Sequence, residues 1–190
     1  MTDKAALRKQ MIKARSAIPS GERAESSRII CEKFLESSEY ENAGIILLYK
    51  AYNSEVDTDL IFERALSDGK MVCYPCSAFT DGEPEMTFYA VTHQADLHPG
   101  YKGIPEPDTS KCTVMEEKKA DVCITPGVAF DKMCHRIGYG MAFYDRYIRL
   151  HNPHKIIGLA YEEQIIDGFE PGARDMAADI VITQKNIYVK

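Results

Sequence analysis

Apolar residues recur along the chain with two different periods, which predict helices and buried strands in alternation. Residues 3–18 repeat apolar side chains at helical spacing and begin with Asp3, a residue suited to capping a helix. A second helix is predicted over 21–37. Continuous apolar runs, which are typical of strands covered on both faces, occupy residues 43–49, 121–125 and 155–160. Because strands alternate with helical patterns, we predict an α/β fold with a mostly parallel central sheet flanked by helices.

The middle of the chain has a weaker pattern. Residues 71–74 are predicted as a short strand that ends at Pro75, and residues 77–84 are rich in turn formers. Residues 86–91 alternate as an antiparallel edge strand would. Residues 92–119, which end in a charged tract, are the least regular stretch of the chain.

Length and composition narrow the class of protein. A chain of 190 residues, 45% hydrophobic and 27% charged, fits one globular domain over residues 1–190. The formal charge is 23 − 29 = −6, which argues against a surface that coats nucleic acid. No apolar stretch is long enough to span a bilayer, and the charged start lacks a secretory leader. We expect a monomer with small-molecule partners, in a reducing cytoplasm that keeps the six cysteines as free thiols.

The clearest chemical pattern begins where the apolar run 121–125 stops at a Pro-Gly turn. A loop then leads to Arg136 and to two glycines spaced by one residue, before a helix predicted over 139–150. A strand, a glycine-containing loop and a helix start gather backbone N–H groups around a phosphate. Arg136 supplies a forked cation, and Asp145 supplies an oxygen ligand suited to Mg²⁺. The pattern indicates a nucleotide- or phosphate-handling site, and the alternative is a tight turn between two core elements.

Lys4 and Arg8 lie one helical turn apart on the first predicted helix. Like charges at this spacing repel each other by roughly a few tenths of a kcal/mol, and an anion between them would reverse that cost. The pair is therefore compatible with an anion site, but a solvated basic face near a terminus is the more usual interpretation of such a pair.

Glu55 follows the predicted strand 43–49 in the order strand, loop, carboxylate and helix cap. This order places Glu55 at the carboxyl end of the strand, where open α/β sheets bind ligands. The alternative is a loop acid that faces solvent.

Cys73 and Cys76 form a Cys-x-x-Cys pair, which can serve redox or zinc chemistry. No second pair has a suitable spacing, and Pro75 lies inside the motif. Cys134-His135 could add ligands only if the fold brought it near. We interpret these cysteines as small apolar side chains of the core.

The central stretch resembles the signature of the 5-formyltetrahydrofolate cyclo-ligase (5,10-methenyltetrahydrofolate synthetase) family. That signature reads Pro-Gly-x-Ala-Phe-Asp, a short spacer, then Arg-[Leu/Ile]-Gly-x-Gly-x-Gly-[Tyr/Phe]-Tyr-Asp, and most of it stands at 126–131 and 136–145. Lys4-Ala-Ala-Leu-Arg8 is similar to the family's N-terminal Lys-x-x-x-Arg helix. The resemblance implies a fold similar to the sugar-phosphate isomerase and CoA-transferase class.

The resemblance also implies an enzyme and its site. The enzyme would convert 5-formyltetrahydrofolate to 5,10-methenyltetrahydrofolate with ATP and Mg²⁺, through phosphorylation of the formyl oxygen, and would release ADP and phosphate. Arg136 and Tyr144 would act in catalysis. ATP would contact Lys4, Arg8, Arg136, Ile137, Gly138, Tyr139, Gly140 and Tyr144. The reduced folate would contact Lys50, Glu55, Tyr139 and Phe143, and Mg²⁺ would bind Asp145 and Asp175.

Three positions depart from the family pattern. Ala142 stands at the third glycine of the signature, Met141 stands at a variable position that is frequently glycine, and Cys134 stands where a turn glycine is usual. A Cβ atom at position 142 is tolerated in a helical conformation but hinders positive φ or a close phosphate approach. These departures leave a second hypothesis, a non-catalytic homologue that binds folate or nucleotide. A third hypothesis, a phosphosugar or CoA-thioester enzyme, rests on fold analogy alone.

Overall fold

The computed structural model of the chain describes residues 3–115 and 120–190. Within them the helices are α1 Lys4–Ala17, α2 Ser20–Leu35, α3 Ser38–Asn42, α4 Asp59–Ser67 and α5 Phe143–His151. The strands are β1 Ile45–Leu47, β2 Met71–Thr80, β3 Glu83–Ala90, β4 Leu97–Pro99, β5 Pro105–Pro107, β6 Thr113–Val114, β7 Val122–Thr125, β8 Ala129–Asp131, β9 Arg136–Ile137, β10 Lys155–Leu159, β11 Ile165–Ile166, β12 Ile180–Ile182 and β13 Ile187–Val189. The charged tract that ends the irregular stretch, residues 116–119, lies outside the described residues.

The main sheet has the strand order β13-β12-β10-β7-β1-β2-β3-β6. The central strands β12, β10, β7, β1 and β2 are parallel, whereas β13, β3 and β6 add antiparallel pairs at the two ends. Ile46 of β1 packs with α2 and α4 on one face, and its neighbour Leu47 packs with α5 on the other. Helices thus cover both faces, which explains the continuous apolar runs and confirms the predicted mostly parallel α/β fold.

Strand β2 is longer than the sequence pattern predicts. The strand does not end at Pro75 but continues to Thr80. β1 ends at Leu47, opposite Cys73, so the N–H that Pro75 lacks would have faced an edge without a neighbouring strand. Proline therefore removes no ladder hydrogen bond at this position.

Residues 77–84, predicted as turns, belong mostly to the β2–β3 hairpin. Asp81 and Gly82 both have positive φ, at 52° and 81°, and connect Thr80 to Glu83. Such a two-residue Asp-Gly turn suits the twist of antiparallel strands. The sequence pattern predicts residues 86–91 as an edge strand. In the structure residues 86–90 belong to β3, which is not at the edge because β6 pairs with its other side.

Helix α5 begins later than predicted. The sequence pattern predicts a helix over 139–150, but the first helical residue is Phe143. Gly140 and Ala142 have φ values of 95° and 57°, which a continuous right-handed helix does not allow. Residues 139–142 are therefore a loop, and their backbone groups are not committed to helical hydrogen bonds.

Helix α1 begins with the cap that the sequence predicts. Oδ1 of Asp3 accepts a hydrogen bond from the N–H of Ala5 at 2.9 Å, which satisfies one of the free donors at the helix start. Over residues 3–115 and 120–190, none of the helices combines the length and hydropathy needed to cross a membrane.

Candidate active site

A cavity of about 360 Å³ lies where the carboxyl ends of β1 and β7 meet α1 and the loop before α5. Its volume falls within the lower part of the range for small-molecule sites. Every residue named from the sequence as a site candidate lines this cavity: Lys4, Arg8, Lys50, Glu55, Arg136, Ile137, Gly138, Tyr139, Gly140, Phe143, Tyr144, Asp145 and Asp175. The fold therefore brings together residues from both ends and the middle of the chain.

A buried aromatic ring holds the loop that carries Arg136. Phe130 in β8 is fully buried, and it packs against the backbone of Gly127 and Gly158. A Cβ atom on either glycine would overlap the Phe130 ring, so these positions accept only glycine. β9 pairs antiparallel with β8, which places Arg136 opposite Phe130 and directs the chain into the cavity wall.

The two ends of the chain converge on the loop before α5. Nζ of Lys4 donates a hydrogen bond to Oδ2 of Asp175 at 2.6 Å, and Nε of Arg8 donates to the carbonyl oxygen of Gly138 at 2.8 Å. Burial raises the pKa of Asp175, but hydrogen bonds from Lys4 and from the N–H of Gly172 outweigh burial and leave this pKa lowered. Asp175 is therefore ionised at neutral pH.

Arg136 lies deeper in the same cavity and is paired with Asp145. Nη2 of Arg136 donates to Oδ1 of Asp145 at 2.8 Å, and the exposed fractions of the two side chains are 3% and 17%. Oδ1 of Asp145 also accepts from the N–H of Met176 at 3.0 Å. Nε of Arg136 is buried and has no hydrogen-bond partner within the described residues. A ligand oxygen in the cavity would satisfy this donor.

Asp145 and Asp175 form an oxygen donor set that fits Mg²⁺. Both line the cavity, and each leaves one carboxylate oxygen without a hydrogen bond to residues 3–115 and 120–190. The described part of the chain contains no group of three or more His, Cys, Asp or Glu side chains placed to hold a metal. One or two carboxylates, with substrate phosphates and water completing the shell, are the usual way proteins bind Mg²⁺.

Glu55 and Tyr139 are hydrogen-bonded to each other in the cavity wall. The Tyr139 hydroxyl donates to Oε1 of Glu55 at 2.7 Å, and the N–H of Tyr52 donates to Oε2 at 2.9 Å. Burial raises the pKa of Glu55, and these two hydrogen bonds oppose that rise without cancelling it. Glu55 is thus an acceptor in the cavity wall rather than a loop acid that faces solvent.

The ammonium group of Lys50 already has protein partners. Nζ donates to both carboxylate oxygens of Asp59, at 2.5 and 2.7 Å, and to Oε1 of Gln94 at 2.7 Å. An ammonium group has three hydrogens, so Lys50 can bind a substrate group only by exchanging one of these partners.

Aromatic side chains form the wall beside α5. Phe143 packs against Phe79 and Tyr101, with ring centroids at 5.2 and 5.7 Å. The Tyr144 hydroxyl is buried and lacks a hydrogen-bond partner in the described part of the chain. Burial raises the pKa of Tyr144 well above its ordinary value, so the phenol stays protonated. It therefore retains one donor for a ligand.

Residues 1–184 match the family model described as the 5-formyltetrahydrofolate cyclo-ligase family. The chain belongs to this family. A relative from Caenorhabditis elegans, named a probable 5-formyltetrahydrofolate cyclo-ligase, is 32% identical over 190 residues. The aligned residues cover 94% of this chain and 91% of that relative.

Two solved structures share the fold of this cyclo-ligase family member. A 5,10-methenyltetrahydrofolate synthetase from Aquifex aeolicus superposes with a TM-score of 0.81 at 28% identity, covering 98% of this chain and 92% of the other. A 5,10-methenyltetrahydrofolate synthetase from Mycoplasma pneumoniae gives a TM-score of 0.74 at 26% identity, covering 96% and 99%. The resemblance read from the signature is therefore confirmed over nearly the whole chain.

Two of the three departures from the cyclo-ligase signature lie at positive φ. Cys134 has a φ of 63° and Ala142 a φ of 57°, where the family pattern has glycine. A left-handed conformation costs a non-glycine residue roughly 1–2 kcal/mol. Ala142 is also the N-cap of α5 and provides no side-chain cap. Ala142 therefore has the strained left-handed conformation and not the helical conformation in which alanine is tolerated. Met141 has no positive φ, and it lines the cavity.

Sequence reasoning missed Arg15, which contacts the site from behind the cavity wall. Arg15 is 3% exposed and donates a hydrogen bond to the Tyr139 hydroxyl at 2.7 Å. It lies one helical turn after Met11, which is also buried. The apolar stripe of α1 therefore carried a signal that Arg15 points inward.

The Cys-x-x-Cys pair does not form a common site. Residues three apart on a strand point to opposite faces, so the side chains of Cys73 and Cys76 diverge from β2. Burial raises the pKa of Cys73 to about 12, which keeps it a thiol. Cys73 packs in the core with Leu47 and Phe88, as a small apolar side chain would.

Proposed function

We propose that this protein is an ATP- and Mg²⁺-dependent 5-formyltetrahydrofolate cyclo-ligase that forms 5,10-methenyltetrahydrofolate and releases ADP and phosphate. One observation carries the proposal: Lys4, Arg8, Arg136 and Asp175 converge on a single cavity in a chain of the cyclo-ligase family. Such a cluster of cations and carboxylates suits a triphosphate with its metal ion.

The chemical difficulty is that the oxygen of a formamide is a poor leaving group. Transfer of the γ-phosphoryl group of ATP to the formyl oxygen converts that oxygen to a phosphate ester and leaves an iminium carbon. The neighbouring aryl nitrogen of the folate then attacks this carbon, loses its proton, and phosphate departs as the ring closes. No protein nucleophile is needed, so the site acts by positioning and by charge neutralisation.

The nucleotide end of the cavity neutralises the triphosphate. Lys4, Arg8 and Arg136 supply the cations, and the N–H groups around Gly138 and Gly140 supply neutral donors. The triphosphate would replace the carboxylate partners that Lys4 and Arg136 have in the structure. Asp145 and Asp175, released from these cations, would hold Mg²⁺, which when bound neutralises charge on the phosphate oxygens.

The folate end of the cavity combines acceptors with aromatic surface. Glu55 would accept hydrogen bonds from N–H groups of the reduced pterin, and Tyr139 and Phe143 would pack against its rings. Lys50 lies at the same end and would orient the substrate by exchanging one of its partners. The Tyr144 hydroxyl would donate to the formyl oxygen as charge develops there during transfer.

The direct test is an assay of the purified protein with 5-formyltetrahydrofolate, ATP and Mg²⁺. We expect the methenyl product, detected by its near-ultraviolet absorbance, and one phosphate released per product. Omission of ATP, or chelation of the metal with EDTA, should abolish the signal, and added Mg²⁺ should restore it. Absence of product at high enzyme concentration would reject the proposal.

A second candidate function, a non-catalytic folate- or nucleotide-binding protein, is favoured by the strained backbone at Ala142 and Cys134. It predicts that calorimetry detects tight binding of both ligands although no product forms. We further propose that the chain acts as a single-domain monomer and that it works in the cytoplasm, where its six free thiols would stay reduced. Sedimentation of the pure protein tests the oligomeric state.

A further inference from the structure

Arg15 is a buried cation without a role in the proposed mechanism. It lies on α1, its exposed fraction is 3%, and it is absent from the cavity lining. Nε donates to Oγ of Ser54 at 3.1 Å, and Nη1 donates to the carbonyl oxygen of Gly127 at 3.2 Å. Nη2 donates to the hydroxyl oxygen of Tyr139 at 2.7 Å. One guanidinium thus joins α1 to three loops that border the cavity.

The position of this charge needs a reason, because a buried cation is costly unless an anion and hydrogen bonds compensate it. The three direct partners of Arg15 are neutral groups. The carboxylate coupled to Arg15 is that of Glu55, which it reaches through the Tyr139 hydroxyl. Burial raises the pKa of Glu55, and the charge of Arg15 is one of the effects that oppose this rise.

Arg15 fixes the directions of the hydrogen bonds that link Arg15, Tyr139 and Glu55. A guanidinium only donates, so the Tyr139 oxygen must accept from it. The single hydroxyl hydrogen of Tyr139 then points to Oε1 of Glu55, at 2.7 Å. Because the Tyr139 side chain is 46% exposed, packing alone would not hold its hydroxyl in this orientation.

We propose that Arg15 is a positioning residue for folate binding, which holds the Tyr139 hydroxyl on Glu55 and so keeps the Glu55 carboxylate oriented as an acceptor for the N–H groups of the reduced pterin. This proposal rests on the proposed function, in which Glu55 and Tyr139 contact the folate. Arg15 acts through Tyr139 and does not touch the substrate itself.

The titratable groups that face Glu55 determine what a pH profile reports. Tyr49 and Tyr144 also couple to Glu55, but burial raises their pKa values so far that both stay neutral. The cavity carboxylates Asp145 and Asp175 and the cations Lys4, Arg8, Lys50 and Arg136 stay the same in every variant compared below. A difference between variants in the acid limb of kcat/KM for folate then reports the ionisation of Glu55, modified by Arg15 and Tyr139.

The test measures kcat/KM for 5-formyltetrahydrofolate against pH at saturating ATP in the full chain. Arg15→Met is expected to raise the folate KM by roughly tenfold, because hydrogen bonds to the charged acceptor are weakened, while the ATP KM stays unchanged. Loss of the cation raises the pKa of Glu55, so the acid limb should move to higher pH. Calorimetric binding of the folate gives the same comparison without turnover.

Two further variants separate positioning from general stability. In a Tyr139→Phe background, Arg15→Met should add little further change to the folate KM, because both substitutions break the same hydrogen-bond link to Glu55. Gln164→Met is the matched control: Gln164 is buried and donates to the same Gly127 carbonyl at 2.8 Å, but it does not contact Tyr139. It should lower Tm and leave the acid limb in place.

The outcomes are distinguishable. If Arg15→Met behaves as Gln164→Met does, with a lower Tm but an unchanged folate KM and acid limb, Arg15 is structural only and the proposal is overturned. If Glu55→Gln itself leaves the folate KM unchanged, the proposed role of Glu55 fails and the inference fails with it. Should Arg15→Met not fold, Arg15→Lys decides, because a single ammonium nitrogen cannot occupy the three separate positions from which Nε, Nη1 and Nη2 reach Ser54, Gly127 and Tyr139. An unchanged folate KM in that variant would contradict the proposal.

Discussion

Nζ of Lys4 lies 2.6 Å from Oδ2 of Asp175, although 171 positions separate these two residues in the sequence. The contact joins the first turn of α1 to the segment before β12, beside the loop that carries Arg136. Both side chains are about one-third exposed, at 28% and 33%, so the pair stabilises the fold only weakly. Its consequence is chemical, since it concentrates one cation and one carboxylate at the same end of the cavity.

Lys4→Met is expected to raise the KM for ATP by roughly tenfold, because the proposed site loses a charged phosphate contact. The free energy of unfolding should change by less than about 1 kcal/mol, as for other exposed ion pairs. Initial rates against ATP concentration and chemical denaturation measure the two effects. Lys9→Met removes an exposed cation from the same helix and should change neither. An ATP KM equal to that of the wild type would contradict the phosphate contact.

Ala142→Gly is expected to stabilise the protein by roughly 0–1.6 kcal/mol. Relief of left-handed strain gains roughly 1–2 kcal/mol, and the greater freedom of glycine in the unfolded chain offsets roughly 0.4–1 kcal/mol. We also expect kcat/KM for ATP to rise, because backbone without a Cβ atom approaches phosphate more closely. Thermal unfolding and initial rates test both. A lower Tm would show that Ala142 is not strained.

Cys134→Gly is the comparison for that substitution. Cys134 has the same sign of φ but is fully buried in a cluster with Phe130, Ala160 and Val181. Lost packing there offsets the relief of strain, so we expect no gain in Tm.

Between pH 4 and pH 7 the wild type is expected to lose stability relative to Glu55→Gln, a variant that binds folate less tightly. The folded pKa of Glu55 is raised above its unfolded value of about 4.3, so the folded state holds this proton more tightly. Stability therefore falls as pH rises from about 4.3 through the folded pKa, and glutamine avoids that loss. Chemical denaturation at pH 4 and pH 7 should show that the difference in unfolding free energy between Glu55→Gln and the wild type shifts in favour of the variant at the higher pH. Glu63→Gln, on the exposed face of α4, should show no such difference.

Tyr144→Phe is expected to lower kcat by roughly tenfold or more with little change in Tm. Its buried hydroxyl has no hydrogen-bond partner in the described residues, so removing that group leaves no other group unsatisfied. The loss of kcat follows from the proposed hydrogen bond to the formyl oxygen. Tyr74→Phe is the matched control, because the Tyr74 hydroxyl is also buried without a partner but lies outside the cavity lining. It should leave both kcat and Tm nearly unchanged; equal effects of the two substitutions would remove Tyr144 from the mechanism.

The parts of the fold that sequence predicted well are those whose burial is uniform. β1, β7 and β10 are covered on both faces, so their composition alone marks them as strands. The length of the β2–β3 hairpin was underestimated, because Pro75 resembles the end of a strand as long as the absence of a strand beside it is not known. The start of α5 was misplaced because the left-handed backbone of Ala142 leaves no trace in residue type.

The residues that line the cavity were predicted from the sequence, but the ion pairs among them were not. Sequence spacing and family resemblance placed Arg136, Asp145 and Asp175 in one site, yet they do not tell which cation pairs with which acid. Such pairs depend on distances between segments far apart in the chain. Arg15 shows the same limit, because a charged residue on a helix is ordinarily assigned to solvent, and only tertiary contacts reveal its burial.

In the proposed site, helix α1 would set the separation between the two substrates. Arg8 bonds to the loop at the nucleotide end, and Arg15 bonds to Tyr139 near the folate end, seven positions further along one rigid element. A rise of about 1.5 Å per residue places the two arginine Cα atoms about 10 Å apart along the axis. Insertion of one residue between them would rotate one arginine by about 100° relative to the other, so only one ligand could keep its contact. In the proposed site, the number of residues between Arg8 and Arg15 would therefore be fixed by the two ligands that this helix serves.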